Sequence, residues 1–591
     1  MTEDASSKLT ELRAELARLG LDGFILPRGD EHLGEYVAAG SERLAWLTGF
    51  TGSAGVAVVL ADSAAVFSDG RYVLQLAAQT DPASWSREHM IETPPERWLV
   101  ERRPGGRIGY DPWLMSQTQR VAFESLGLTL VPVSPNPVDR LWHDRPPPPL
   151  QPAIPQTLDH AGVASADKRR QVAAILRAGG EDAVMLTDPA SVAWLLNIRG
   201  DDVPFTPLPL SFALLRADET VTLFMDPRKL GHETRQWLGN SVQLEAPDAL
   251  GAALAGLGGQ TIRLDGKGSA AWFADRLRDA GASVSDDADP CLLPKARKNA
   301  TEQAGARAAH LRDGVALCRF LHWLTTDAVG ARESQAAAHL DGLRAASPAY
   351  RGESFPAISG SGPNGAIIHY RVTPESDRTL GADELYLIDS GGQYVDGTTD
   401  VTRTVWTGPG AAPDSIRDHY TRVLRGHVAL AAGAFPAGTT GLRLDSLARA
   451  PLWGAGLDYD HGTGHGIGSY LSVHEGPCGI NPRSPPVAVE AGMILSDEPG
   501  YYRPGEYGIR IENLLLARAV DFEGATQAFL GFETLTLAPF DRRLIETAQL
   551  SRFECEWIDT YHARVHAEIA PLLDSEPARW LGQACAPLAV A

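Results

Sequence analysis

The feature that most constrains the fold is an internal repeat in the first half of the chain. Residues 12–26 and 172–186 both have the pattern of an amphipathic helix, a glycine turn and a buried strand. Two further matches follow in the same order, residues 44–47 with 192–195 and residues 67–71 with 224–228. One match would reflect habits common to all helix–turn–strand units, whereas three in order predict two α/β domains of similar fold.

Two breaks divide the chain further. Residues 144–156, DRPPPPLQPAIPQ, favour extended backbone and exclude a helix or a central strand, so they predict a linker. The sequence DDADP at 286–290 precedes an alanine-rich stretch whose apolar spacing predicts one long helix over 298–326. We therefore expect domains at 1–146, 157–296 and 297–522, followed by an extension of helical pattern at 523–591.

Composition argues against several classes of function. Acidic residues exceed basic ones by 74 − 53 = 21, and the resulting net charge of −21 repels nucleic acids and anionic membranes. No segment approaches the roughly 20 unbroken apolar residues of a membrane span, and the polar N-terminus lacks a signal sequence. Five dispersed cysteines without a CxxC pair suggest neither a disulfide framework nor a thiolate zinc site. We expect a cytoplasmic protein that binds neither nucleic acid nor membranes.

Two aspartates in the third segment follow strand signals. Asp389 ends the apolar run LYLID, and Asp400 comes 400 − 389 = 11 residues later, after glycine turns and before the strand pattern VTRTVW. Adjacent strands of a hairpin or meander would bring both carboxylates to one point. An unpaired buried carboxylate costs several kcal/mol, so such a pair invites a cation. The alternative for either residue alone is a turn or capping aspartate.

A glycine-alternating segment supplies imidazoles. In HGTGHGIG, residues 461–468, an extended backbone projects His461 and His465 to one side, and glycine lets the other side approach a neighbouring backbone closely. A dinucleotide cradle would need a helix here, whereas we expect residues 469–473 to continue as strand. His474 follows, and taken alone it would more often be an ordinary hydrogen-bonded histidine.

A second glycine-rich segment also fails as a nucleotide site. GSGPNG at 360–365 matches GxGxxG, but Pro363 and Asn364 stand where a helix should begin. The apolar run at 366–370 is expected to form a strand. This turn would position His369 as a candidate site residue. The alternative is that His369 is an ordinary histidine of the protein core.

Two further segments place charges in strands. Glu498 ends the run MILSDE and precedes proline, so it should point from the end of a strand. In GIRIEN, residues 508–513, the alternation puts Arg510 and Glu512 on one face of an interior strand, although an exposed pair is the alternative.

Four carboxylates and one imidazole thus come from separate strand ends: Asp389, Asp400, His465, Glu498 and Glu512. Four carboxylates contribute a charge of −4, two divalent cations restore +4, and a bridging hydroxide leaves the cluster near −1. One cation would leave too much negative charge. Oxygen-rich ligation with one nitrogen favours Mn, Co, Fe or Zn. Two such ions about 3.5–4 Å apart form a hydrolytic centre.

These motifs resemble those of the metallopeptidases with the pita-bread fold, family M24, and most closely the aminopeptidase P group in its long three-domain form. The resemblance spans nearly the whole chain, and its most specific segments are 354–359, 363–370, 389–394, 396–404, 461–466, 473–477, 497–502 and 508–513. It implies a mixed α/β fold with two creatinase-like N-terminal domains, a pita-bread catalytic domain at 297–522 and a C-terminal extension.

The resemblance also implies an activity, the removal of the first residue from peptides whose second residue is proline, through a metal-bridging hydroxide. By similarity Asp389 chelates one ion, Asp400 and Glu512 bridge both, and His465 and Glu498 complete the second site, with Glu498 also moving the proton. The family's substrate-facing imidazoles correspond to His369, His461 and His474, and Arg510 holds the carboxylates. We expect two divalent ions, Mn2+ ahead of Zn2+ or Co2+, and a homodimer.

Three other readings remain within this fold. Prolidase would hydrolyse Xaa-Pro dipeptides and hold their free carboxylate, but the long architecture and the segment VHEGP favour aminopeptidase P. A non-catalytic scaffold predicts missing ligands, whereas all five are present. Metal-independent creatinase is disfavoured for the same reason.

Overall fold

The structure, a computed structural model, describes residues 5–588. The chain forms two compact units. The first consists of Met1–Thr157 and Val163–Leu292, and the second of Leu158–Gly162 and Leu293–Ala591. Among the helices of the described chain, none is both long and apolar enough to cross a membrane.

The first unit contains two six-stranded sheets and a short strand pair. The first sheet comprises β1 (Gly23–Pro27), β2 (Val56–Leu60), β3 (Ala64–Ser68), β4 (Ser86–His89), β5 (Arg107–Tyr110) and β6 (Thr129–Pro132). The remaining strands are β7 (Ile154–Pro155), β8 (Ala183–Leu186), β9 (Ile198–Arg199), β10 (Phe212–Arg216), β11 (Val221–Phe224), β12 (Val242–Glu245), β13 (Thr261–Leu264) and β14 (Ser283–Asp286). Of these, β7 and β9 form the strand pair. The second sheet consists of β8 and β10 to β14.

The helices of this half of the chain connect the strands and cover the sheets. They are α1 (Ala5–Arg18), α2 (Arg43–Thr48), α3 (Val73–Gln79), α4 (Pro95–Arg102), α5 (Gln117–Glu124), α6 (Pro137–Leu141), α7 (Leu158–Ala161), α8 (Ser165–Gly179), α9 (Pro189–Leu196), α10 (His232–Leu238), α11 (Leu250–Ala255) and α12 (Ala271–Asp279). Helix α7 belongs to the second unit.

The predicted repeat is confirmed by the strand topology. The orders are β4-β3-β2-β1-β5-β6 and β12-β11-β10-β8-β13-β14, and the two sheets share the same sequence of parallel and antiparallel neighbours. The central strands are buried throughout, as expected for sheets covered on both faces. The repeats pack together within the unit, where the indoles of Trp113 and Trp272 stack with ring centroids 4.0 Å apart.

The second unit contains the predicted long helix. Asn299 accepts hydrogen bonds from the backbone N–H groups of Thr301 and Glu302, which fixes the first turn of a helix that runs to Thr326. The helices are α13 (Leu292–Ala296), α14 (Ala300–Thr326), α15 (Glu333–Ala345), α16 (Asp414–Ala431), α17 (Gly441–Trp453), α18 (Arg552–Ile569) and α19 (Ser575–Ala584).

Four sheets of the second unit carry the residues of interest. The strands are β15 (Tyr350–Glu353), β16 (Ile358–Ser361), β17 (Leu385–Ser390), β18 (Gly392–Tyr394), β19 (Gly397–Thr398), β20 (Val401–Trp406), β21 (Phe435–Pro436), β22 (Gly464–Gly466), β23 (Glu475–Ile480), β24 (Ile494–Asp497), β25 (Gly500–Arg503), β26 (Tyr507–Arg510), β27 (Asn513–Val520) and β28 (Phe529–Thr534). Their orders are β15-β18-β19, β16-β17-β20, β21-β28-β27-β24-β22-β23 and β25-β26.

Two predicted strands are wrong. At 366–370 the chain ends a 3-10 helix, Gly362–Ala366, and then forms a turn. Asn364 and Tyr370 both donate hydrogen bonds to the buried carboxylate of Glu333 and so fold the chain back. Residues 469–473 form a loop closed by a hydrogen bond from the Gly468 N–H to the Ser472 carbonyl.

Two other expectations need correction. The segment 508–513 is divided between two strands, since β26 ends at Arg510 and pairs with β25, whereas β27 begins at Asn513 and pairs with β24. Glu512 therefore lies where the chain changes partner. After residue 523 the chain contains the predicted helical pattern, but it first contributes β28 to the six-stranded sheet.

Candidate metal centre

The two aspartates lie on neighbouring strands. Asp389 is in β17, which pairs antiparallel with β20, and the register sets Asp389 opposite Thr402. Asp400 immediately precedes β20, and both aspartates are buried. The adjacent strands predicted for these two residues are present.

Close approach of backbones brings His465 to the aspartates. A Cβ on Gly464 would lie 2.0 Å from the Ser496 carbonyl oxygen, and one on Gly466 would lie 2.2 Å from the Glu475 carbonyl oxygen. Only glycine permits β22 to pass this close to β23 and β24. The His465 Nε2 atom then lies 3.5 Å from an Asp400 carboxylate oxygen and 3.4 Å from one of Glu498.

Backbone contacts hold the two glutamates. The Glu498 N–H donates to the Thr463 carbonyl at 2.8 Å, and the Ser496 hydroxyl donates to the Glu498 carboxylate at 3.1 Å. Two hydrogen bonds join Glu512 to Thr402. The Glu512 N–H donates to the Thr402 carbonyl at 3.1 Å, and the Thr402 hydroxyl donates to the Glu512 carboxylate at 2.8 Å. Ligand atoms of Asp400, His465 and Glu512 all lie within 4.8 Å of one another.

Arg510 lies behind the cluster and is buried. Its guanidinium donates to Asp389 Oδ2 at 2.7 Å, to the Tyr502 hydroxyl at 2.6 Å and to the Thr402 hydroxyl at 3.2 Å. Asp389 Oδ1 is buried too and has no hydrogen-bond partner among the described residues. A buried carboxylate oxygen without a donor is uncommon, and a bound cation or water molecule would satisfy it.

Electrostatics favour added positive charge at this site. Burial, and then the Asp400 and Asp389 carboxylates, raise the pKa of Glu512 well above its usual value. Burial raises the pKa of Glu498 to about 7. Although burial opposes it, the Asp400 and Glu498 carboxylates raise the pKa of His465 to about 9. Glu498, Glu512 and His465 thus hold protons more tightly than usual, and divalent cations would displace those protons.

The three other histidines reach the site to different degrees. The His474 ring meets the His465 ring edge to face, with centroids 4.3 Å apart. His461 Nε2 lies 2.8 Å from the Tyr502 hydroxyl, so Tyr502 links it to Arg510. His369 is half-buried in the turn after the 3-10 helix, and its segment contacts the site through a 3.4 Å hydrogen bond from Arg510 to the Ile368 carbonyl.

Sequence reasoning missed several residues that shape the site. Thr402 lies two positions after Asp400, and a two-residue spacing places both on one face of a strand, so this signal was present in the sequence. Tyr502 and the buried ion pairs from Lys295 and Lys298 to Glu475 gave no such signal, because their partners are remote in the chain.

Comparison with known proteins agrees with this geometry. The family model for metallopeptidase family M24 matches residues 304–519, and the model for its C-terminal region matches 528–588. Two models of the creatinase/prolidase N-terminal domain match residues 8–141 and 144–302. A probable Xaa-Pro aminopeptidase P of Fusarium vanettenii is 39% identical over 595 residues, covering 95% of each chain. The chain belongs to metallopeptidase family M24.

Other relatives of this M24 chain extend the match. Aminopeptidase P1 of Arabidopsis thaliana is 36% identical over 99% of the chain and all of the relative. The crystal structure of X-prolyl aminopeptidase from Caenorhabditis elegans, described as a cytosolic enzyme with a di-nuclear active site, superposes with a TM-score of 0.93 at 33% identity, over 99% of this chain and 100% of that one. The mixed α/β fold, with creatinase-like N-terminal domains and a pita-bread domain, is confirmed, and the chain is a metal-dependent aminopeptidase.

Proposed function

We propose that this chain hydrolyses the first peptide bond of peptides whose second residue is proline. The observation that carries the proposal is the cluster of Asp400, His465 and Glu512, whose ligand atoms lie within 4.8 Å of one another. Next to it is the Asp389 oxygen that has no hydrogen-bond partner in the described part of the chain. The full-length similarity to proteins named Xaa-Pro aminopeptidase P supports the substrate class.

Two divalent ions fit the donor set. Asp389 would hold one ion, His465 and Glu498 the other, and Asp400 and Glu512 would bridge both. The two ions balance the four carboxylate charges, and the nematode relative is described as di-nuclear. The bound ions would lower the pKa of a water molecule shared between them and offset negative charge on the substrate carbonyl oxygen. Mn2+ is the proposed metal, ahead of Zn2+ or Co2+, because oxygen donors dominate.

Glu498 is proposed to move the proton. Its carboxylate is held by the Ser496 hydroxyl and lies beside His465, so a proton that it accepts stays next to the proposed metal ligands. Its anchored position keeps that proton within the cluster.

The remaining histidines are proposed to meet the substrate. The bond before proline is a tertiary amide without an N–H, and its nitrogen must gain a proton to leave. His461, His474 and His369 would steady the carbonyl oxygen and supply N–H donors at that nitrogen. Arg510, through Asp389, Tyr502 and Thr402, would keep the carboxylates in place.

Four coarser features complete the proposal. The proposed domains are those expected from sequence, 1–146, 157–296, 297–522 and 523–591. The protein is proposed to act in the cytoplasm, as the nematode relative is described, and as a homodimer. Peptides with proline at position two are its proposed partners.

The test compares the unaltered protein with Asp400→Asn. Metal content by elemental analysis and hydrolysis of Arg-Pro-Pro and Arg-Ala-Ala are measured. We expect two ions per chain and cleavage of Arg-Pro-Pro alone for the unaltered protein, and loss of both metal and activity for the variant. Asp414→Asn, whose side chain is 99% exposed on α16, is the control and should change neither. Cleavage of Arg-Pro but not Arg-Pro-Pro would show a prolidase, and a metal-free protein without turnover would show a scaffold.

A further inference from the structure

A buried histidine outside the cluster connects two of the segments that carry its carboxylates. His427, on α16, is fully buried. Its Nδ1 atom lies 3.1 Å from the Asp497 carbonyl oxygen and 3.2 Å from the Asp497 carboxylate. Its Nε2 atom lies 2.9 Å from the side-chain nitrogen of Asn513. Asp497 precedes Glu498 and Asn513 follows Glu512 in the chain, so one imidazole spans both positions.

The hydrogen-bond network decides which nitrogen of His427 carries the proton. Arg403 donates to the side-chain oxygen of Asn513 at 2.8 Å, and a guanidinium can only donate. The Asn513 amide must therefore present its NH2 group to His427, which makes Nε2 the acceptor. The proton resides on Nδ1, from which it is donated to the Asp497 carbonyl oxygen.

This donation fixes the peptide bond that leads into Glu498. The carbonyl oxygen of that peptide is Asp497 O, which accepts from His427, and its N–H is that of Glu498, which donates to Thr463 at 2.8 Å. Both polar groups of one peptide plane are thus held by separate elements, α16 and the segment before β22. A peptide held at both ends restricts where the following side chain can point.

The same network holds Glu512. Arg403 is buried and donates to the carbonyl oxygens of Glu512 at 2.7 Å and Thr402 at 2.9 Å. A continuous chain of hydrogen bonds therefore runs from Thr402 and Glu512, through Arg403, Asn513 and His427, to the peptide before Glu498.

We propose that His427 is a positioning residue for the metal centre: by donating from Nδ1 to Asp497, it sets the position of Glu498 relative to Glu512. The inference rests on the proposed dinuclear centre and adds a residue that contacts neither substrate nor metal. An alternative role is space filling, since the imidazole packs against Phe540 and Trp557 with ring centroids 5.6 and 6.2 Å away.

Two amide substitutions separate positioning from space filling. His427→Asn places an amide N–H where Nδ1 was, so the donor to Asp497 is kept, whereas His427→Gln places its amide where Nε2 was and keeps only the contact to Asn513. Both are smaller than, or similar in size to, imidazole. His562→Gln is the control, because His562 is equally buried and accepts from the Phe540 N–H through Nε2, a role that a glutamine oxygen preserves.

The measurements are Mn2+ binding by isothermal titration on metal-free protein, hydrolysis of Arg-Pro-Pro, and thermal midpoint. We expect His427→Gln to weaken binding of one of the two ions by roughly 10–100-fold and to lower kcat more than it raises KM, since outer contacts of metal ligands have effects of this size. His427→Asn should stay within a few-fold of the unaltered protein, and His562→Gln should match it.

Three outcomes would overturn the inference. Unchanged metal binding in His427→Gln would do so, as would equal losses in His427→Asn and His427→Gln, which would indicate packing alone. A loss in His562→Gln of the same size as in His427→Gln would show a general effect of buried histidines. If instead the unaltered protein binds fewer than two ions or leaves Arg-Pro-Pro intact, the proposed function itself fails, and this result is distinct from the other three.

Discussion

The guanidinium of Arg510 lies 2.7 Å from one carboxylate oxygen of Asp389, while the other oxygen of the same carboxylate is buried without a hydrogen-bond partner among the described residues. The arginine thus uses one side of Asp389 and leaves the opposite side for a cation. Burial raises the pKa of Asp389 despite this arginine, so the carboxylate is short of positive charge.

Replacing this guanidinium by an ammonium tests its positioning role. Arg510→Lys keeps the charge but cannot donate at once to Asp389, Tyr502 and Thr402, because an ammonium lacks the planar fork. We expect metal affinity and kcat/KM to fall together by roughly 10–100-fold. Isothermal titration and peptide hydrolysis measure both. Arg503→Lys, at an exposed arginine on β25, is the control, and unchanged metal affinity in Arg510→Lys would contradict the role.

The stability of the metal-free protein should fall as pH rises. The pKa of Glu498 is raised from 4.5 to about 7, and that of His465 from 6.5 to about 9, so the folded state binds these protons more tightly than the unfolded state does. Their contribution to stability is complete below the unfolded values and is lost as pH passes through the folded ones. We expect the free energy of unfolding to decrease between pH 4.5 and 9, measured by urea titration.

The metal-loaded protein is the comparison for this pH series. Because cations replace the bound protons, we expect metal affinity to rise over the same pH range. The free energy of unfolding of the metal-loaded protein should therefore decrease less at high pH than that of the metal-free protein. A metal-free protein whose stability rises steadily from pH 5 to pH 9 would show that these groups are not protonated in the folded state.

A methyl group on Gly464 should damage the centre. The Cβ of an alanine there would lie 2.0 Å from the Ser496 carbonyl oxygen, so β22 and β24 would have to separate and His465 would move. We expect Gly464→Ala to lose about 1–3 kcal/mol of stability and most of its metal affinity, measured by chemical denaturation and titration. Gly342→Ala is the matched control on α15, where nothing lies within 4 Å and alanine should stabilise the helix by about 0.5–1 kcal/mol. Equal effects at both positions would refute the close-approach argument.

Glu475, which is adjacent to His474 in the chain, should contribute strongly to the stability of the fold. Its buried carboxylate accepts from Lys295 at 2.9 Å and from Lys298, and both ammonium groups are buried. Removing the carboxylate leaves buried positive charge, so Glu475→Gln should lower the free energy of unfolding by about 3–5 kcal/mol. Chemical denaturation measures this difference. Glu490→Gln breaks the exposed pair with Arg297 and should cost no more than about 1 kcal/mol. Similar losses of unfolding free energy in both variants would show that burial does not increase the contribution of the Glu475 ion pairs to stability.

Local pattern was sufficient for much of the architecture. The repeat, the long helix at Ala300–Thr326 and the placement of Asp389 and Glu498 in or after strands follow from side-chain periodicity and from turn and capping residues. These signals depend on residues close together in the chain, and the elements that they predict are present in the structure. The strand expected at 366–370 is absent because Glu333, more than thirty positions earlier, binds Asn364 and Tyr370, and no local pattern records such a contact.

The sequence by itself determined which residues are chemically able to hold metal and that glycines would let one strand come very close to its neighbours. Only the tertiary structure decided that Thr402 holds Glu512, that Arg510 uses one oxygen of Asp389, and that His427 joins the peptide before Glu498 to Asn513. The physical reason is that hydrogen-bond partners are selected by distance in space. The contacts that aim each carboxylate join residues from about 70 to 120 positions apart, which becomes possible only after the sheets have assembled.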